Sequence, residues 1–174
     1  TQEYPHAVGL SDGGFVIVWQ DNAPVDGSTW GVIGQRYDAA GAAQGGNFVL
    51  NTTTTNGQYH GALAAYGTGF AAVWSSSNLG GGSGQDIALQ RFDNAGVKVG
   101  GELLVNTVTS STQQLPDVAA YSDGRLVVVW EDQGGADGAG YGVFARRYDA
   151  VGAPSGDPFL VNTITAGNQY EAQV

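Results

Sequence analysis

One pattern returns three times along the 174-residue chain and restricts its folding more than any single residue does. Phe15-Val16-Ile17-Val18-Trp19 comes back as Phe70-Ala71-Ala72-Val73-Trp74 and as Leu126-Val127-Val128-Val129-Trp130, so the tryptophans step by 55 and then 56 residues. Each Trp is followed by an Arg-aromatic-Asp triplet: Arg36-Tyr37-Asp38, Arg91-Phe92-Asp93 and Arg147-Tyr148-Asp149. Asn-Thr closes each unit, at Asn51-Thr52, Asn106-Thr107 and Asn162-Thr163. A period of this length belongs to repeat architectures, in which one supersecondary unit per repeat shares its core with its neighbours. The units run over 1–56, 57–112 and 113–168. Residues 169–174 begin a further one, because Gln169-Tyr170-Glu171 echoes Gln58-Tyr59-His60.

Within the first unit, Ala7 to Leu10 reads as a strand that meets Asp12-Gly13, a strong hairpin signal, and Phe15 to Gln20 leaves that turn as a second strand. The unbroken apolar run up to Trp19 predicts a central strand buried on both faces. After a polar loop over 21–30, Gly31 to Tyr37 reads as a third strand, Asp38-Ala39-Ala40-Gly41 as a turn, and Phe48-Val49-Leu50 as a fourth strand. Glycine, at 29 residues, suits many short strands joined by tight turns.

Four sequential antiparallel strands, with Ser-Asp-Gly after the first and aromatic-Asp closing the third, resemble a blade of a β-propeller, and WD-repeat blades in particular. The unit also resembles a repeat of long, acidic, cysteine-poor bacterial secreted and surface proteins of the RTX-associated type. That likeness rests on the pattern Gln-x-x-Pro, Ser-Asp-Gly, Val-Val-Trp, Asp-Gly-Ser, Gln-Arg-Tyr-Asp, Gly and Val-Asn-Thr, which residues 2–52 and 114–163 follow with single substitutions such as Leu50-Asn51-Thr52 and Arg146-Arg147-Tyr148-Asp149. The middle unit departs from it, with Tyr66-Gly67-Thr68 in place of Ser-Asp-Gly. The expected fold is all-β, three four-stranded antiparallel propeller-type blades completed by oligomerisation or further repeats. A closed threefold β-prism-like fold is the alternative.

The formal net charge of −10 argues against nucleic acid and anionic membranes as partners, and no apolar run reaches the roughly 18 residues of a membrane helix. Cysteine is absent, which removes disulfides and thiolate metal sites; methionine is absent too, which reads as a processed or excised segment. The resemblance implies a secreted or cell-surface protein.

Residues common to all units are expected to serve folding: Trp19, Trp74 and Trp130 as aromatics between blades, and Arg36, Arg91 and Arg147 as partners of carboxylates or carbonyls. Function is expected where the units differ. Asp21, Asn22 and Asp26 in the first unit, and Glu131, Asp132 and Asp137 in the third, supply the hard oxygens that Ca²⁺ selects, with solvated turn residues as the other reading. Gly81-Gly82-Ser83-Gly84-Gln85-Asp86 is a single match to a calcium-binding nonapeptide. Trp30 and its counterpart Tyr141 are candidate partner-binding aromatics on the loops. His6 and His60, the only histidines, neighbour no nucleophile motif. Open blade edges predict self-association. The sequence reading is therefore a non-enzymatic assembly or adhesion module with calcium-stabilised loops, binding a glycan or cell-surface protein. A lectin-type propeller and an extracellular hydrolase are the alternatives.

Overall fold

The computed structural model describes residues 1–23, 26–77, 79–82 and 84–174, among which no helix occurs. Three four-stranded antiparallel sheets follow one another along the chain. The first holds β1 (Gln2–Gly9), β2 (Phe15–Asp21), β3 (Gly31–Tyr37) and β4 (Ala43–Val49), and the second β5 (Gln58–Tyr66), β6 (Gly69–Ser76), β7 (Asp86–Asp93) and β8 (Lys98–Leu104). The third holds β9 (Gln113–Ala120), β10 (Leu126–Asp132), β11 (Gly142–Tyr148) and the two-residue β12 (Phe159–Leu160). Strand order within each sheet is chain order, the meander of a propeller blade.

The turns work as their residues require. Asp12 Oδ1 accepts the Gly14 N–H at 3.0 Å, while Gly13 takes a φ of +85° that a side chain would resist. At the end of β3, Asp38 Oδ1 accepts the N–H groups of Ala40 and Ala42 at 3.0 and 2.8 Å. Asp93 and Asp149 do the same for Ala95 and Val97, and for Val151 and Ala153. The outer strands of the first two blades are longer than their apolar runs suggest. β4 begins at Ala43, because Gly45 at φ +73° forms a bulge that keeps the edge paired, and the Gln35 amide ties it by donating to Gln44 O and Gly45 O, each at 3.4 Å.

The blades stack face to face. Val16, Val18, Val32 and Leu50 of the first pack on Leu63, Phe70, Ala72, Trp74, Ala88 and Phe92 of the second. The opposite face of the second, with Ala71, Val73, Ile87 and Leu89, packs on Val118, Leu126, Val128, Trp130 and Tyr148 of the third. Only β6 is buried on both faces throughout, because only the middle blade has two neighbours. Trp74 and Trp130 are buried between blades as expected, whereas Trp19, on the unpartnered face of the first, is half-buried. The three arginines diverge. Arg36 meets Asp12 at 2.5 Å and donates to Asn94 O of the next blade, Arg91 lies over the Tyr66 ring, and Arg147 lies over Phe159 without the expected oxygen partner among the described residues.

Candidate functional site

A hydrogen-bond latch joins each blade to the next, and it occupies two of the acids read as calcium ligands, Asp26 and Asp137. Asn51 Oδ1 accepts the Val32 N–H at 3.1 Å, and its amide donates to Asp26 Oδ2, Thr53 O and Gln58 Oε1. Asn106 repeats this with Ile87, Asp86, Val108 and Gln113, and Asn162 repeats the first three contacts with Val143, Asp137 and Ile164. The Asn that ends one unit thus fastens its own blade's third strand and loop to the Gln that opens the next.

The remaining acid oxygens face donors as well. Asp21 accepts from Ala23 N–H and the Gln2 amide, which in that order hold its carboxyl below the usual carboxylate range. Asp132 accepts from Gly134 N–H and the Gln113 amide. Asp26 and Asp137 each also accept the N–H two residues on, at Ser28 and Ala139, the geometry of an Asx turn. Glu131, fully buried, accepts from the Gln114 amide and the Glu171 N–H, and Asn22 pairs with the chain start at Thr1. Among the described residues no three His, Asp or Glu side chains gather as a metal site would require. The six residues instead lie apart, on two loops and two strand ends, with oxygens directed at N–H donors rather than at a common centre. Of the nonapeptide match, Ser83 lies outside the described residues, as do Pro24 and Val25 of the first loop and Asn78. Asp86 is the latch acid of the middle blade, also accepting Gly80 N–H at 2.8 Å.

Trp30 is half-buried against Tyr59 of the following blade, ring centroids 6.2 Å apart. Tyr141 meets Tyr170 edge to face at 5.3 Å. These loop aromatics are paired across unit boundaries.

The sequence reading missed the feature that the blades build together. The innermost strands β1, β5 and β9, with Glu171, Ala172 and Gln173 of the tail, line an open cavity of about 420 Å³ on the blade axis, within the size range of small-ligand sites. It lies toward the end that carries the β2–β3 loops, since Gln2 pairs with Asp21 and Asp21 with Gly31. At the same offset after each unit's opening Gln, one non-glycine residue adopts left-handed backbone: Tyr4 at φ 53°, His60 at 54°, Leu115 at 48° and Glu171 at 57°. Such a residue costs about 1–3 kcal/mol and persists only where its surroundings impose it. The preceding blade imposes it here: the His60 N–H donates to Gln20 Oε1 at 3.1 Å, and the Glu171 N–H to Glu131 Oε1 at 2.6 Å. The bulges place Tyr4, His60, Leu115 and Glu171 on the cavity wall, joined two residues further on by His6 and Asp117.

Asp117 is held by N–H groups of Val118 and Val174, both at 2.9 Å, whereas the Glu171 carboxylate makes no hydrogen bond among the described residues. His6 and His60 each bury an Nδ1 without a partner, and burial pushes the His60 pKa down, so that it is neutral at neutral pH. The Tyr4 ring meets the His60 ring edge to face at 4.7 Å. The arrangement offers two carboxylates, two imidazoles and a phenol around one concave space. The signal was present in the repeat frame: this offset reads Tyr, His, Leu, Glu where the flanking pattern recurs, and units that differ at one position are where function was to be sought.

No family model matches the sequence, and no curated protein matches it. Solved structures do share its fold. An endo-arabinase from Bacteroides thetaiotaomicron superposes with a TM-score of 0.56 at 14% identity, over 94% of this chain and 64% of that one. A GH43 endo-arabinanase from Bacillus licheniformis gives 0.53 at 16%, over 93% and 60%. A GH93 α-L-arabinofuranosidase of Fusarium graminearum, solved with arabinobiose, gives 0.51 at 15%, over 92% and 66%. The chain spans 64% and 60% of the length of the first two. These neighbours overturn two expectations. Propeller-type blades are correct, but the resemblance lies with glycoside hydrolase propellers rather than with WD-repeat or RTX-associated repeats. The reading as a non-enzymatic assembly and adhesion module is likewise corrected, because these structural neighbours are glycoside hydrolases. The chain is thus an all-β array of β-propeller-type blades whose structural neighbours include an endo-arabinase, an endo-arabinanase and an α-L-arabinofuranosidase.

Proposed function

We propose that the axial cavity binds a carbohydrate and that the chain forms the blade scaffold of a glycoside hydrolase acting on arabinose-containing glycans. The observation that carries this reading is the left-handed residue repeated at one offset in each unit, Tyr4, His60, Leu115 and Glu171, which sets unlike side chains around one cavity where the Glu171 carboxylate is joined by that of Asp117. Glycoside hydrolysis uses such a pair, one group to protonate the leaving oxygen and one to stabilise or attack the anomeric carbon. Glu171, whose carboxylate is free of hydrogen bonds, is the proton donor in this reading. Asp117, oriented by two backbone N–H groups, faces the positive charge that develops on the sugar ring. His60, His6 and Tyr4 contact the bound ring and its hydroxyls. The arabinose-containing glycans on which the neighbours act motivate the choice of arabinose. A polymeric substrate that does not cross membranes fits a secreted or cell-surface location.

The test is release of reducing ends from linear arabinan by the purified chain, beside Asp117→Asn and Glu171→Gln. Each substitution is expected to lower the rate roughly a hundredfold or more. Absence of hydrolysis, or hydrolysis indifferent to both changes, overturns the reading.

A further inference from the structure

Aromatic rings beside the axial cavity are distributed unevenly over the blade boundaries, and the unevenness is informative. Between the first and second blades the rings of Trp30, Tyr59, His60 and Tyr4 succeed one another at 6.2, 6.4 and 4.7 Å, running from the loop into the cavity wall. At the end of the third unit Tyr141 and Tyr170 form a second pair, next to Glu171. Between the second and third blades the same two positions hold Gln85 and Gln114.

We infer that these rings are stacking platforms for the successive sugars of an oligosaccharide, one of whose rings occupies the axial cavity. The ligand is accordingly a chain rather than a single sugar, and this deepens the carbohydrate reading on which it rests.

Blade packing does not account for the rings. The boundary that has Gln85 and Gln114 at these two positions has its latch fully formed, with Gln113 and Asn106 buried, so a boundary closes without rings there. Tyr4 and Tyr170 keep 56% and 55% of their surface in water, which a purely structural aromatic avoids. The C–H face of a sugar is apolar with a positive edge, and it matches the negative face of an aromatic ring in the way that edge-to-face pairs do. The track also ends where the chemistry is proposed, at His60 and Tyr4 on one flank and beside Glu171 on the other.

The experiment is calorimetric titration of the Asp117→Asn protein, which leaves the probes intact, with the series from arabinose to arabinohexaose. Affinity is expected to rise with length. Trp30→Ala, and separately Tyr170→Ala at an exposed position, is expected to weaken arabinohexaose binding roughly tenfold and to flatten the series, with Trp30→Phe restoring most of it. Thermal melts confirm that each variant is folded. Equal affinity along the series, no binding of any member, or wild-type affinity in both alanine variants overturns the inference. The two readings separate cleanly: length-dependent binding without wild-type hydrolysis removes the hydrolase reading and keeps the track, whereas hydrolysis with a flat series does the reverse.

Discussion

Replacing Asn106 by Ala tests the latch where it is most enclosed. The side chain, 3% exposed, accepts the Ile87 N–H at 2.7 Å and donates to Asp86 Oδ1 at 2.7 Å, Val108 O at 2.8 Å and Gln113 Oε1 at 3.1 Å. Ile87, Asp86 and Gln113 are themselves buried, so truncation leaves a backbone donor and two acceptors short of partners where water has little access. An orphaned buried group costs about 1–3 kcal/mol; Asp86 retains the Gly80 N–H, so the sum comes to about 3–5 kcal/mol. Against a total stability of about 5–15 kcal/mol, that brings the protein close to unfolding. Asn162→Ala removes the homologous latch at the open end, where the residue is half-exposed and water replaces the lost bonds, and is expected to cost about 1 kcal/mol. Urea unfolding of both variants reads the contrast as a midpoint shift at unchanged slope. Equal and small shifts would show that the latch contributes nothing beyond solvated hydrogen bonds, and the blade-joining role assigned to these residues would be wrong.

Other consequences follow from burial and charge. Trp74→Ala, which empties a fully buried site between blades, is expected to cost about 3–5 kcal/mol, and Trp19→Ala on the unpartnered face distinctly less; urea midpoints compare them. His60 has its folded pKa below the unfolded value near 6.5, so the unfolded chain binds more protons and stability falls as pH drops through about 6.5, levelling off below the folded pKa. His60→Gln is expected to remove that part of the acid sensitivity, read as melting temperature against pH. Because the loop carboxylates already accept N–H donors, millimolar Ca²⁺ added after chelation is expected to leave the melting temperature where it was. A clear rise would reassign Asp21, Asp26, Asp132 or Asp137 as metal ligands.

Much of the scaffold was legible in the sequence because its determinants are local. Asp38 with Gly41, and Asp12 with Gly13, set their turns within a few residues, and the run ending at Trp74 carries its burial in its composition. The loop acids were harder to read, because a sequence displays the carboxylates and not the donors that meet them. Asp26 is answered by the Ser28 N–H and by Asn51 from a strand end, and only the Asx-turn half of that pair is visible locally. The axial cavity was illegible for a different reason. Tyr4, His60, Asp117 and Glu171 come from four separate units, and nothing draws them together until the blades have stacked and the backbone at His60 and Glu171 has been fixed by a side chain of the preceding blade. Trp30 and Tyr141 stood out as exceptions to the repeat, yet their partners Tyr59 and Tyr170 lie in the following units.

The most direct measurement is a crystal structure of the Glu171→Gln protein soaked with an arabino-oligosaccharide. The account predicts a sugar ring in the axial cavity among β1, β5, β9 and residues 170–174, touching Tyr4, His60 and Asp117. Sugar bound only at the outer strands, or an axial cavity holding solvent alone beside a saturating ligand, would contradict it.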